Sequence, residues 1–364
     1  MSDKIILVVA PSGQAGGGMG RVKDYILAFN RDPLPGLTFQ EGITRDNGGF
    51  VLSIVNTALL ICRIWYLQLG GRLAAVHVNL GDNYSAVRKG VLTILSRLSG
   101  AKVLVHFHGV VLDAQWRRAG PCMRWLIGVP FRAASTTIVL GRIWQQWLVQ
   151  DLGVSPDRVT VVANGVPVPD YGGRDHLTPR PQVEIVFVGN LLKRKGVDDL
   201  IAAAAVLKDE ARPWRLTFAG GGDIAGYQEK TRAMGLSNRI QFVGWIDAPQ
   251  IAAMLAKSDI MVLPSYYEGL PLVILEAIGA GTPVICTPVG AIPEFLKDGE
   301  TVLFVEPGDV RGLAAALKRL IFDPAMRQTL GDAGYREYEA VFSLVAFRQS
   351  ILKIYQNKLA LPVS

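Results

Sequence analysis

Glu268 and Glu276 stand eight positions apart around the turn Gly269-Leu-Pro271, where the chain passes from an apolar run into a helical stretch. Ile260-Met-Val-Leu263 is short and apolar between Asp259 and Pro264, which suits a strand covered on both faces. Pro271 fits the first helical position, because its missing N–H is not needed there and its φ is already helical. The free N–H groups of that first turn and the helix dipole attract a phosphate. Carboxylates repel phosphate, so two of them here are best explained as acceptors for the hydroxyls of a ligand that also carries phosphates, such as a sugar nucleotide. Alone, Glu268 could simply complement the helix start and Glu276 could be a solvated helix residue. The adjoining turn and the helix exit Gly279-Ala-Gly-Thr-Pro283 favour a binding site.

A second phosphate contact is expected at Gly189-Asn-Leu-Leu-Lys-Arg-Lys-Gly196, which places Lys193, Arg194 and Lys195 after a strand and before a helix. A cation there neutralises a diphosphate leaving group; otherwise the run is a solvated basic turn. Gly220-x-Gly222-x-x-Ala225 formally fits a dinucleotide fingerprint, but no acid ends the following strand near Phe242, so a nicotinamide enzyme is not expected. There is no G-x-x-x-x-G-K-[ST] and no Asp-x-Asp. No cofactor or metal is therefore expected, and phosphate charge falls to cations, backbone N–H groups and helix ends. His106 and His108 share one side of a strand, without a third metal ligand nearby, and His108 beside Gly109 is either a sugar contact or structural.

These residues need a scaffold. Lys4 to Ala10 predicts a buried strand, followed by the glycine loop Pro11 to Gly20 and a helix over Arg21 to Asn30, the layout of a phosphate approach. Further strands are expected at 75–79, 102–106, 136–140 and 158–162, and a second alternating set at 184–188, 215–219, 240–243, 260–263, 283–286 and 302–305. Helical stretches such as 197–208, 248–256 and 270–279 lie between the latter. Strands alternating with helices imply parallel α/β sheets. The 364 residues suit two domains of similar size. The expected division is 1–168, a hinge at 169–181, 182–342, and a helix within 343–364 that can return to the first domain. That helix, Leu344 to Leu359, has Val345, Ile351, Leu352 and Tyr355 as its apolar residues. In such an arrangement ligands lie at the carboxyl ends of both sheets, in the cleft between the domains.

The net charge is +7, and residues 1–170 carry all of it, with 17 Lys+Arg against 10 Asp+Glu. Between Ile61 and Val149 there are 11 basic and 2 acidic residues, interleaved with Trp65, Trp116, Trp125, Phe131, Trp144 and Trp147. Cations mixed with indoles suit an anionic membrane surface, although a solvated basic face with some tryptophans in the core is the alternative. Nucleic acid ranks below both, since no recognition motif accompanies the charge. The apolar run Phe50 to Cys62 stops at Arg63, too short for a span of about 20 residues. Met1 to Ala10 leads straight into glycines without the order of a cleaved signal, so a cytosolic protein is expected, with the inner face of the cytoplasmic membrane as a peripheral site. Cys62, Cys122 and Cys286 are too scattered for a disulfide framework.

Together these features resemble glycosyltransferase family 4, retaining enzymes of the GT-B fold, in which two Rossmann-like doubly wound parallel-sheet domains face each other across a cleft. Val188-Gly189 with Lys195-Gly196, Ala219-Gly-Gly-Gly222, Pro264-Ser265, Glu268-Gly-x-Pro with Glu276-Ala277, Gly281-x-Pro283 and Val289-Gly-x-x-Pro-Glu294 occur in family order. In the first half the match is looser, at Gly16-Gly-Gly-Met-Gly20, His108-Gly109 and Asn164-Gly-Val166. The resemblance implies that Glu268 holds donor-sugar hydroxyls and Glu276 the ribose, and that Lys195 binds the diphosphate with N–H groups around Gly269, Leu270 and Leu272. It also implies that Gly16, Gly17 and Gly18 approach the phosphates, that Gly189 and Gly220 line the donor site, that Trp245 lies near the base, and that His108 lies near the reacting sugar. Asn190 stands where the family often has Arg, so a second cation is missing unless Arg194 or Lys193 supplies it. The implied reaction moves a hexosyl unit from a nucleoside diphosphate sugar to an acceptor hydroxyl with retained configuration, the leaving phosphate taking the acceptor proton on the same face; the basic, aromatic-rich first domain suggests a lipid-linked or cell-envelope saccharide as that acceptor. A soluble enzyme acting on a small metabolite and a non-catalytic sugar-nucleotide sensor are the alternatives.

Overall fold

The computed structural model describes residues 3–11, 17–45, 49–168, 175–178 and 180–361. The chain divides into two compact units, Met1–Gly165 with Leu344–Ser364, and Val166–Ser343. In the first, β1 (Lys4–Ala10), β2 (Leu37–Ile43), β3 (Leu73–Leu80), β4 (Val103–Phe107), β5 (Thr136–Val139) and β6 (Val159–Val161) form a parallel sheet in the order β2-β1-β3-β4-β5-β6. Crossovers are made by α1 (Gly17–Leu27), α2 (Gly49–Leu69), α3 (Asn83–Leu98), α4 (Leu112–Arg118), α5 (Pro121–Ala133) and α6 (Arg142–Gln146). Helices cover both faces of the inner strands, which explains why every residue of β3 is buried.

Three sequence expectations change in this unit. Strand β2 was not foreseen, yet Leu37 and Phe39 are buried with partly exposed neighbours between them, the period of a half-covered edge strand. Helix α1 starts at Gly17, so Gly17 and Gly18 form its first turn rather than a loop, and Gly16 lies outside the described residues. Helix α2 runs through Arg63 to Leu69, because the guanidinium folds back to Gln40 Oε1 (2.7 Å) and the Glu41 carbonyl (3.0 Å) instead of ending the helix. The tryptophans divide: Trp144 and Trp147 are core residues, whereas Trp65 and Trp125 are exposed.

The second unit repeats the plan with β7 (Val183–Val188), β8 (Trp214–Ala219), β9 (Ile240–Gly244), β10 (Ile260–Leu263), β11 (Val284–Cys286) and β12 (Leu303–Phe304), parallel in the order β12-β11-β10-β7-β8-β9. Its helices are α7 (Val197–Val206), α8 (Ile224–Ala233), α9 (Ala248–Lys257), α10 (Leu272–Gly279), α11 (Ile292–Phe295), α12 (Val310–Phe322) and α13 (Pro324–Glu337). The order of strands reverses beside β7, so the loops leaving β7 and β10 share the place where ligands enter such sheets. Val166 belongs to this unit because its N–H bonds the Phe342 carbonyl at 2.9 Å. Most of the expected hinge, 169–174 and 179, lies outside the described residues.

Helix α14 (Leu344–Leu359) closes the first unit. Phe347, Ile351, Ile354, Tyr355 and Leu359 form its buried face, while Val345 is 67% exposed and so lies off that face. Arg348 pairs with Asp32, and Lys102 Nζ donates to the Leu359 carbonyl at 2.6 Å.

Candidate functional site

At the carboxyl edge of the second sheet, two loops are sewn together. Lys193–Lys195 form a 3₁₀ turn that ends at Gly196, with φ +69°, and a Cβ there would collide with the Pro264 carbonyl. Tyr266 N–H donates to the Arg194 carbonyl at 2.8 Å. This close approach brings Lys195 Nζ onto Glu268 Oε1, which also accepts the Ser265 hydroxyl at 2.8 Å. Thr287 Oγ1 donates to the Ser265 carbonyl at 2.6 Å, and Ala291 N–H to the Gly269 carbonyl at 3.0 Å. Gly290, φ +61°, sits so close over the Glu268 carbonyl that only glycine fits. Glu268 is thus 7% exposed, an acid held by a cation and a hydroxyl rather than a solvated complement to a helix.

Glu276 is also 7% exposed, and α10 buries Leu272, Ile274, Leu275, Ala277 and Ile278 around it, which removes the solvated-residue explanation. Pro271, at φ −71° and ψ 125°, is the cap preceding α10 rather than its first residue. A proline cap has no side-chain acceptor, and no side chain caps this helix start. Leu270 and Leu272 are buried and anchor the turn, with buried Gly269 before them.

The other second-unit residues expected at the donor site line up along the same edge. Gly189 N–H bonds the Ala219 carbonyl (2.8 Å), Gly220 N–H bonds the Gly244 carbonyl (2.7 Å), and Leu191 N–H bonds the Gly221 carbonyl (2.7 Å), so the exits of β7, β8 and β9 are tied side by side. Asn190 is exposed at the first exit, and Trp245 is 59% exposed at the third. Arg194 is exposed, with Nη1 3.4 Å from the Tyr267 carbonyl. Lys195 and Glu268 are therefore brought into contact, and Arg194 lies beside them. The role of Ser265 was missed, although its position three residues before Glu268 is a readable signal.

His108 anchors a separate polar cluster in the first unit. Its Nε2 lies 2.9 Å from Asn79 Oδ1, while Asn79 Nδ2 donates to the Val9 carbonyl at 3.3 Å. The amide oxygen can only accept, so His108 carries its proton on Nε2 and leaves Nδ1 as an acceptor. The His106 ring lies 4.1 Å from that of His108, His77 Nε2 lies 3.3 Å from His106 Nδ1, and His77 Nδ1 lies 2.6 Å from the Tyr355 hydroxyl of α14. Burial pushes the pKa of His77 to about 3. Burial, with Lys89 and His77 nearby, takes His108 to about 3. Lys89, fully buried, donates from Nζ to the Asn79 carbonyl at 2.5 Å, and burial with Arg88 nearby lowers it to about 7.

Asp82 shapes the adjoining turn by accepting N–H bonds from Val110 (2.8 Å), Val111 (3.2 Å) and Leu112 (3.0 Å). Gly109 is needed there, since a Cβ would strike the Phe107 ring and the Asp82 carboxylate. His77, Asn79, Lys89 and Tyr355 were missed; His77 and Asn79 are polar interruptions of the otherwise apolar Leu73–Leu80, which is a signal the sequence carries. Among the described residues no group of three or more His, Cys, Asp or Glu could hold a metal ion.

Residues 56–168 match the model described as Glycosyltransferase Family 4, and residues 174–337 match the one described as Glycosyl transferases group 1. Glycogen synthase of Mycobacterium tuberculosis is 30% identical over 251 residues, which is 68% of this chain and 59% of the relative. The chain thus spans a little over half the length of the curated relatives it matches. Among solved structures, sucrose-phosphate synthase from Thermosynechococcus elongatus aligns over 98% of this chain and 99% of its own, with a TM-score of 0.78 at 21% identity. Anabaena HepE in complex with UDP-glucose aligns over 97% and 99%, with a TM-score of 0.74 at 19% identity. Two six-stranded parallel sheets, each flanked by helices, with these structural neighbours make the fold GT-B. From these matches, and from Lys195, Glu268 and Glu276 in family order on that fold, the chain belongs to glycosyltransferase family 4.

Proposed function

We propose that the protein transfers a hexosyl unit from a nucleoside diphosphate sugar to a hydroxyl of a lipid-linked or cell-envelope saccharide, with retention of anomeric configuration. The observation that carries this is the Lys195–Glu268 pair, held beside the uncapped start of α10. A sugar nucleotide brings both things the pair needs: a diphosphate for Lys195 and the helix start, and sugar hydroxyls for Glu268. Glu276 takes the ribose, Trp245 flanks the base, and Arg194 supplies the second cation that Asn190 does not. HepE, whose structure contains UDP-glucose, supports a donor of this class.

Catalysis is then positioning plus stabilisation of the leaving diphosphate by Lys195 and the α10 start, without a resident metal. Glu268 Oε1 is already occupied by the Lys195 ammonium and the Ser265 hydroxyl, so in this proposal the acceptor proton passes to the leaving phosphate. In the first unit His108, with Nδ1 left as an acceptor, is the residue proposed to contact a sugar hydroxyl. The basic first unit favours an acceptor on the inner face of an anionic cytoplasmic membrane over a small metabolite.

The test is Glu268→Ala assayed with labelled UDP- and GDP-hexoses. A transferase loses turnover by orders of magnitude in the variant. A wild-type protein that binds a sugar nucleotide but never turns it over is a sensor, and the proposal fails.

A further inference from the structure

We propose that the face built by α2, α3 and α5 docks the first unit on an anionic bilayer surface, with α2 lying in the plane of the interface. This deepens the membrane-borne acceptor proposed above and rests on it. Helix α2 buries Ser53, Thr57, Leu60, Ile64 and Leu67, and the last three join the core cluster with Ile5 and Leu73. Its solvent side is apolar as well: Val51 is 74% exposed, Val55 45%, Leu59 63%, Tyr66 69% and Leu69 82%. Their spacing follows the helical period, so they form one line along the helix. Val51–Leu69 has a mean hydropathy of 1.5, and 28% of the span is buried. That is not the profile of a core helix, and a helix pinned into the sheet along one stripe cannot cross a bilayer without leaving its fold.

The neighbouring helices extend the patch. Trp65 Nε1 donates to the Leu95 carbonyl at 3.1 Å, which fixes α2 against α3, and Gly90 of α3 leaves room for Pro130 of α5. Helix α3 exposes Tyr84, Val87, Val91 and Leu98, and α5 exposes Met123, Trp125 and Leu126. Exposed apolar residues on three helices packed α2 against α3 and α3 against α5 mark an interaction site.

Charge identifies the occupant. None of the three helices contains an aspartate or glutamate, whereas they carry Arg63, Arg88, Arg97, Arg124 and Arg132. Arg97, Arg124 and Arg132 bond to backbone carbonyls, and among the described residues none of the three pairs with a carboxylate. Of the acids near this face, Asp82 is turned inward onto backbone N–H groups, and Glu41, which lines a groove with Leu59 and Arg63, is paired with Lys23. A second copy of this face would oppose positive charge with positive charge. A leaflet of anionic lipids instead offers phosphates to the arginines, acyl chains to the α2 line, and a headgroup layer for Tyr66, Tyr84 and Trp125.

The experiment is flotation of the full chain with vesicles of phosphatidylcholine, alone or with added phosphatidylglycerol, at low and high salt. It is repeated with Leu59→Glu/Leu69→Glu, whose exposed positions leave the fold intact by circular dichroism. The expected result is binding to anionic vesicles that weakens with salt and falls at least about tenfold in the double variant. Indifference of the wild type to anionic vesicles, undiminished binding by the variant, or a dimer that the variant dissolves without loss of vesicle binding each overturns the docking. Hydrolysis of the sugar nucleotide in vesicle-free solution is measured alongside and is expected to be equal in both proteins. Its absence from the wild type defeats the transferase proposal and leaves vesicle binding to be judged by itself.

Discussion

Replacing Lys195 with methionine leaves Glu268 buried with, among the described residues, the Ser265 hydroxyl against it, since the Lys195 and Glu268 side chains are 14% and 8% exposed. Removing one partner of a buried pair costs about 3 kcal/mol, because the remaining charge keeps its desolvation penalty. For a unit spanning Val166–Ser343, that lowers the melting temperature by roughly 6–12 °C. Adding Glu268→Gln removes the stranded charge, so the double variant recovers most of the loss, a coupling of about 2 kcal/mol. Calorimetric unfolding of the four proteins measures it. Titration with UDP and GDP supplies a second reading: Lys195→Met weakens whichever nucleotide binds by about 10–100-fold, the worth of a charge-assisted contact. Glu268→Gln keeps that affinity but loses preference for the hexose-bearing form. If the two single-variant stability losses add to within about 0.5 kcal/mol, the pair is not coupled and the division of tasks between cation and acid is wrong.

The histidine cluster sets the response to acid. His77 and His108 have folded pKa values of about 3 against an ordinary 6.5, so the unfolded chain binds protons first and stability is lost as pH falls from 6.5 towards 3. Each contributes a loss of about 2 kcal/mol by pH 5, read from urea unfolding of the first unit at pH 7.5, 6 and 5. Lys89 acts above neutrality: its pKa falls from 10.5 to about 7, so stability rises between those limits, and Lys89→Met flattens that rise. The proposed assignment of phosphate charge to Lys195, Arg194 and the α10 start predicts that EDTA leaves turnover unchanged; activity that collapses and returns with a divalent cation refutes this.

The second unit was the more legible in sequence because its signals are local. Six short apolar strands each end at a turn of glycines, prolines or charges, and the eight-residue step from Glu268 to Glu276 lies within one loop and helix. Contact between Lys195 and Glu268 was not legible, since 73 residues separate them and only the fold of Gly196 over Pro264 brings them together. In the first unit, edge strand β2 was hidden by the polar residues of its exposed side, which break up its apolar run. Arg63 suggested the end of an apolar segment, because composition does not reveal that a guanidinium can fold back onto a neighbouring strand. His77 and Tyr355 were invisible as a pair for the same reason as Lys195 and Glu268, at a separation of 278 residues.

That last contact bears on how the protein is made. The first unit takes its sheet from one end of the chain and α14 from the other, with the second unit contiguous between them. During synthesis the second unit can complete its sheet as soon as its own residues have emerged, whereas the first must hold an unfinished face open until Phe347, Ile351 and Tyr355 arrive. Until then the polar wall of His77 and the apolar surface around Phe29 and Phe39 lack their cover, which makes this nascent intermediate the stage most in need of a chaperone.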